Sequence, residues 1–202
     1  MDWNKLADDN TIEETKNAFN SNGFNVVVVK NSEEAKNKVL ELVPKGAEVM
    51  AMTSVTLNVT GIDEVLNDSE NYNSLRKKLM SMDRKTQGRE MNKLGCAPEY
   101  AIGSVQALSK DGHVMIASAS GSQLPAYAYG ANKVIWVVGA QKIVETKEEG
   151  FKRIYEHCFP LENQRALKVY GKESSVNKIL VLNKEPIPNR STIIIVKEVL
   201  GF

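Results

Sequence analysis

SVQALSKDGHVMIASASGSQLPAYAYGANKVIWVVGAQKIV, residues 104–144, holds two apolar runs separated by a small-residue loop and a short helical segment. Residues 113–119 read as a buried strand, 120–123 as a tight loop, 124–129 as one or two helical turns, and 134–138 as a second strand. A strand that feeds a Gly/Ser loop opening a helix aims backbone N–H groups outward, where they can hold an anion or a polar substrate head.

Outward from this stretch, helix and strand signals alternate, which predicts an α/β fold: a mostly parallel sheet flanked by helices. Thr11 followed by Glu14 has capping-box spacing, and the helix it opens stops near Asn22-Gly23. Residues 26–29, four valines, predict a buried parallel strand. Ser32 is expected to cap a helix with Glu33 and Glu34 in its first turn, ending before Pro44, and residues 47–52 form the next strand of a right-handed βαβ unit. The valine and isoleucine runs place 26–29, 47–52, 114–117 and 134–138 as the central strands of the sheet. Residues 71–94 predict a helical arm or cover over the sheet edge, and Thr146 with Glu149 caps a helix running toward Phe159-Pro160. Two β-branched runs, 179–182 and 192–196, flank EPIPNRS, whose prolines forbid regular structure.

At 202 residues the chain is expected to form one domain with a sizeable core. Lys plus Arg total 26 against 25 Asp plus Glu, so net charge points to neither a nucleic-acid nor a membrane-surface partner. The locally basic run that includes Arg76, Lys77, Lys78, Arg84, Lys85 and Arg89 is interrupted by Asp83 and reads as a solvated helical face. Cys96 and Cys158 lie far apart with no Cys/His ligand spacing, so no metal site and no cofactor are expected within this chain. The first residues lack a basic region followed by an apolar core, and no apolar run approaches bilayer length, so a cytoplasmic location is expected.

Several segments together resemble one family. Ser104, Ala107, Asp111-Gly112, Gly121, Tyr129-Gly130 and the run Val138-Gly139 to Lys142-Ile143-Val144 are similar to the LUD domain pattern S-x-N-A-x-T-x-D-G, G-N-R, Y-G and V-G-x-N-K-I-V. SVTLNVTGI at 54–62 resembles the family's S-M-T-L-x-x-x-G-I, and the closing EVLGF is also similar. The chain departs from the pattern at Gln106 and Gln141, at Ser109, and at Ser122-Gln123 in place of Asn-Arg. The resemblance, to lactate-utilisation protein C, implies a sheet like that of ribose-5-phosphate isomerase, glucosamine-phosphate deaminase and the CoA transferases. It also implies a part in lactate or organic-acid utilisation, as a non-redox metabolite-binding or assembly subunit beside an iron–sulfur protein subunit that carries the redox chemistry.

Candidate ligand-binding residues fall in three sets. Thr53, Ser54 and Thr56 follow the second strand, where ligands of open α/β sheets bind; a plain capping role is the alternative. Ser120, Gly121, Ser122 and Gln123 form the Gly/Ser loop, with Ser122 as N-cap and Pro125 in the first turn. With no arginine beside Gly121, the charge partner of an anion moves to Lys142 or Lys133. Gln106 and Lys142 could share the cleft wall; a buried lysine can act as base or Schiff-base former, and a snorkelling lysine is the bland alternative. No catalytic residue is assigned: Glu99 lacks the CoA-transferase surroundings, and His113 and His157 read as structural, His157 at a helix end. The expected ligand is a small organic acid or phosphorylated metabolite, and a homo-oligomer is compatible with everything above. The alternatives are a stand-alone isomerase, deaminase or CoA-transferase-like enzyme, and a non-catalytic ligand sensor.

Overall fold

The computed structural model describes residues 1–68 and 70–202. In chain order the elements are α1 (Asp9–Ser21), β1 (Asn25–Val29), α2 (Ser32–Leu42), β2 (Glu48–Ala51), α3 (Val55–Val59), α4 (Ile62–Asp68), β3 (Asn73–Ser74), α5 (Leu75–Met80) and α6 (Arg84–Cys96). Then come β4 (Tyr100–Gly103), β5 (Ala107–Ser109), β6 (Val114–Ser118), a π-helical turn (Ala126–Gly130), β7 (Lys133–Gly139) and a 3₁₀ turn (Ala140–Lys142). The chain closes with β8 (Ile143–Val144), α7 (Lys147–Arg153), a second π segment (Ile154–Cys158), α8 (Phe159–Tyr170), β9 (Lys178–Leu182) and β10 (Ser191–Val196).

Among the described residues the strands form two sheets. The larger is wholly parallel, in the order β1-β10-β7-β4-β2-β3. The smaller, β8-β5-β6-β9, has antiparallel β5–β6 and β6–β9 pairs and a parallel β5–β8 pair. Strand alternation assigns the faces of the large sheet. Val134, Trp136, Ile193 and Ile195 point to a core shared with α1 and with Leu108, Val114 and Ile116 of the small sheet. Ile135, Val137, Ile194 and Val196 point the other way, to Ala35, Val39, Leu57, Ile62 and Leu66 on α2, α3 and α4. Behind the small sheet, Ala107 and Met115 pack with Val144 and Ile154, and Gly150 of α7 comes so close that a Cβ there would overlap the Met115 sulfur.

Two of the expected central strands are placed differently. β1 is an edge strand, paired with β10 alone, and the C-terminal run β10 takes the position between β1 and β7. Residues 114–117 belong to the small sheet and pair antiparallel. Residues 114–116 are buried and Ala117 half-buried because that sheet is covered on both faces, which gives the same apolar run as a central parallel strand. The β1–α2–β2 connection passes over β10, β7 and β4 rather than joining neighbours.

Helix caps also shift. Asp8, whose side chain accepts from Thr11 N at 2.8 Å, caps α1, and Asn31, accepting from Glu34 N at 2.9 Å, caps α2; neither Thr11 nor Ser32 does. Thr146 caps α7 as expected. That helix does not stop at Phe159-Pro160: the π segment carries it into α8, with Pro160 in the first turn, and Gly171 at φ 64 ends it. Residues 71–94 form β3, which extends the sheet edge, followed by α5 and α6. Among the described residues no helix is long and apolar enough to cross a membrane.

Candidate functional site

At the carboxyl edge of the large sheet, β2 and β4 are neighbours whose connections leave in opposite directions, β2 outward to β3 and β4 inward toward β7. Such a switch point opens a crevice between the two connections. Here the crevice is a cleft of about 740 Å³, walled by the loops after β2, β4 and β7, by the end of β6 with its loop, and by the helix from Ile154 to Tyr170. Thr53, Ser54, Thr56, Gln106, Ser120, Ser122, Gln123 and Lys142 all line it. Gly121 lies between two lining residues without lining it itself.

Lys142 is the centre of this arrangement. The 3₁₀ turn after β7 rolls its side chain inward, leaving it 1% exposed, so it does not snorkel. Its Nζ lies 3.1 Å from Thr56 Oγ1, 3.2 Å from Ser104 Oγ and 3.2 Å from the Val105 carbonyl oxygen. Burial pushes its pKa down to about 7, the Arg153 guanidinium acts in the same direction, and Cys158 opposes them. Arg153 is fully buried as well; one guanidinium nitrogen donates to the Gln106 carbonyl and, at 2.9 Å, to Cys158 Sγ, while Nε and the other terminal nitrogen have no protein partner. Burial raises the Cys158 thiol, and the two cations pull it back. His157 does not sit at a helix end; burial and the Arg153 and Lys142 charges lower its pKa.

Arg76, expected from the sequence on a solvated helical face, lines the cleft and donates to Thr53 Oγ1 at 2.9 Å. Nothing local marks it: β3, which aims the first turn of α5 back over the β2 loop, is only two residues long. Among the described residues no carboxylate lies within ion-pairing distance of Lys142, Arg153 or Arg76. The other arginine on the cleft wall, Arg165, is held bidentate by Glu162 at 2.7 Å. Lys133 is not a partner for anything in the cleft: it starts β7 at the opposite edge and donates to the Asn189 carbonyl. Glu99 is likewise at the amino edge, accepting from Glu48 N.

The Gly/Ser loop differs from the expected anion cradle. Gly121 N donates to Ser118 Oγ at 2.8 Å and Ser122 N to Ser120 Oγ at 3.2 Å, so the loop's own hydroxyls occupy those groups. Ser122 caps no helix; the turn begins with Leu124 N on the Gly121 carbonyl. Ser118 Oγ also donates to Gln123 Oε1, which holds the side chain of Gln123 within the loop. Gly121 has φ +83, and a Cβ there would stand 2.6 Å from Lys178 Cδ. Gly121→Val is therefore expected to destabilise by about 1–3 kcal/mol, read from urea unfolding. A loss under about 0.5 kcal/mol, the usual range of surface substitutions, would contradict the left-handed conformation.

Three sequence segments meet at Thr56. Its hydroxyl donates to the Leu200 carbonyl at 3.2 Å, the same oxygen accepts from Gln141 Nε2 at 3.0 Å, and Gly201 at φ +63 passes so close that a Cβ would lie 2.5 Å from Thr56 Oγ1. SVTLN, VGAQKIV and EVLGF are thus one structural unit that encloses Lys142. The arrangement places on one cleft Lys142 and Arg76, the Arg165–Glu162 pair, Asp63 and several hydroxyls, with an amine that changes charge near neutral pH.

The LUD domain family matches residues 12–196, and the chain belongs to it. A crystal structure of a DUF162 family protein from Deinococcus radiodurans is similar with a TM-score of 0.59 at 11% identity, covering 95% of this chain and 99% of that one. At that identity the likeness is one of fold. No curated protein matches the chain.

Proposed function

We propose that this LUD domain protein is a non-redox, metabolite-binding subunit of lactate or related organic-acid utilisation, and that its cleft takes a small organic acid or phosphorylated metabolite as the anion. The observation that carries this reading is that Lys142 and Arg76 face one cleft and that, among the described residues, no carboxylate is paired to either. A buried or half-buried cation without a counter-ion is costly, and a carboxylate or phosphate arriving in the cleft would offset that cost. The iron–sulfur partner belongs to the same proposal and rests on the family resemblance; the cytoplasmic location is part of it as well.

A cleft of about 740 Å³ is roomier than lactate needs, and typical small-molecule sites span roughly 300–1,000 Å³. Space therefore remains for a second reactant or a longer acyl or phosphorylated chain. This favours, as a second reading, a stand-alone enzyme in which the Lys142 amine moves protons, since general acid–base groups work best with pKa values near the working pH.

Thermal shift with lactate, a sugar phosphate and a CoA ester tests the proposal. An anion at 100 times its dissociation constant stabilises by about 2.7 kcal/mol, or roughly 5–10 °C for a chain of this size. Arg76→Ala is expected to remove most of that shift while leaving the unliganded protein within about 0.5 kcal/mol of wild type. If no anion raises the melting temperature of wild type above that of Arg76→Ala, the proposal is wrong.

A further inference from the structure

We propose that Lys142 forms a covalent imine with the carbonyl group of an anionic ketone, so that the ligand class of the cleft is a 2-oxo acid or a phosphorylated ketone. This rests on the anion-binding reading of the cleft and adds a covalent step to it. The Thr56 hydroxyl donates its only proton to the Leu200 carbonyl, so toward Lys142 it can only accept. The Val105 carbonyl is an acceptor as well. These two contacts use two N–H bonds of the amine. The third neighbour, Ser104 Oγ at 3.2 Å, can either accept from an ammonium or donate to the lone pair of a neutral amine.

The pocket thus satisfies neutral –NH₂ as completely as –NH₃⁺, and among the described residues no carboxylate within ion-pairing distance holds the proton in place. Arg153, behind Lys142, works against the ammonium, as does burial, which brings the amine to about 7. An amine that only stabilised the fold would gain from a carboxylate partner; the surroundings of this one instead keep its lone pair available, with Ser104 on the cleft wall as the single group to displace.

The chemistry closes without an oxidant or reductant. The Nζ lone pair attacks the carbonyl carbon, an N–C bond forms, and the carbonyl π pair moves to oxygen, which takes a proton to give the carbinolamine. Nitrogen gives up its first proton at the carbinolamine stage, the oxygen receives a second proton and leaves as water as the C–O bond breaks, and nitrogen then gives up its remaining proton, so the two protons lost by nitrogen balance the two gained by oxygen. The product is the imine, and the Ser104 hydroxyl can relay these protons. Arg76, bound to Thr53 three residues before Thr56, offers a guanidinium for the anionic group of the same ligand.

The test is borohydride trapping. Purified full-length protein is incubated with pyruvate, with dihydroxyacetone phosphate, or with the non-carbonyl controls lactate and glycerol 3-phosphate, then reduced and mapped by peptide mass spectrometry. The expected result is a single reduced adduct on the peptide containing Lys142 with at least one of the two ketones, none with the controls, and loss of it in Lys142→Arg, which keeps the charge but forms no imine. Pyruvate alone reacting identifies the 2-oxo acid; dihydroxyacetone phosphate alone identifies the phosphorylated ketone. Mapping in wild type decides the matter even if the variant fails to fold. Absence of a Lys142 adduct with both ketones, or labelling no greater than on exposed lysines, overturns the imine. If lactate or glycerol 3-phosphate still raises the melting temperature in that case, the anion-binding reading stands without it; if neither does, both fall.

Discussion

Arg190→Ala is expected to destabilise the protein by about 3–5 kcal/mol, the range for breaking a buried ion pair by removing one partner. Arg190 and Glu185 are 4% and 8% exposed and meet at 2.8 Å under the proline-rich loop before β10. The guanidinium also donates to the carbonyl oxygens of Ala126 at 2.9 Å, Tyr127 at 3.1 Å and Ala131 at 3.0 Å, which fixes the π-helical turn after the Gly/Ser loop. Truncation leaves the Glu185 carboxylate buried with only the Ser191 hydroxyl, 2.6 Å away, and an N–H from Ile187. It also removes one donor from each of those carbonyls, although that of Ala126 keeps the N–H of Ala131. Urea unfolding is the measurement, and a loss below about 1 kcal/mol, the net worth of one ordinary hydrogen bond, would contradict the picture. Tyr127 lines the cleft from that turn, so ligand binding should weaken in the same variant. Glu185→Gln combined with Arg190→Met, which leaves no stranded charge, should cost less than the sum of the single changes.

The second large effect is a pH dependence. In the native state Lys142 titrates at about 7, while in the unfolded chain it returns to about 10.4. Between those values the unfolded chain holds a proton that the native state lacks, so this group makes stability rise with pH, by up to about 1.4 kcal/mol per unit. Below about 7 both states are protonated and the penalty of burying the ammonium is complete. The charged and titratable groups nearest to Lys142 are Arg153, His157 and Cys158. A thiol held up by burial contributes with the opposite sign once the unfolded thiol ionises, so the clean window is about pH 7 to 8.5. Across it, wild type should gain on Lys142→Met, which retains Cys158 and has nothing to titrate at 142. Parallel stability–pH curves for the two proteins would show that Lys142 keeps its ordinary pKa.

Local sequence signals carried much of the fold. The valine and isoleucine runs became strands, and Thr146 became a cap. What periodicity could not supply was the sheet to which a run belongs. Residues 114–117 are apolar throughout because α7 covers one face of the small sheet and the large sheet the other, and that burial is indistinguishable, residue by residue, from a parallel core. Adjacent polar residues compete to cap a helix, and only the extended backbone at Asp8 and Asn31 selects them over their neighbours.

At the cleft, the residues following strands were legible because an open α/β sheet presents them at one edge; this is how Thr53, Thr56, Gln106 and Lys142 come together. Arg76, Arg153 and Cys158 were not, since each comes from a helical segment rather than from a strand end: Arg76 from α5, Arg153 from the end of α7 and Cys158 from the π segment after it. Gln141, a departure from the family pattern, keeps a structural task by donating to the Leu200 carbonyl and, at 3.3 Å, to that of Gly201.

An anion site built around a buried amine that is neutral-capable at physiological pH has a direct spectroscopic signature. An NMR titration of protein carrying ¹³C-labelled lysine methylene groups measures it directly, with and without lactate, phosphate or pyruvate. The account predicts one lysine, absent from the Lys142→Met spectrum, that titrates near 7 in the free protein, and at least one of these anions should shift its resonance saturably. A non-covalently bound anion should also raise that pKa, because a negative charge beside it favours the ammonium. A Lys142 resonance that titrates at about 10.4, the ordinary lysine value, and that none of the anions moves would contradict the claim.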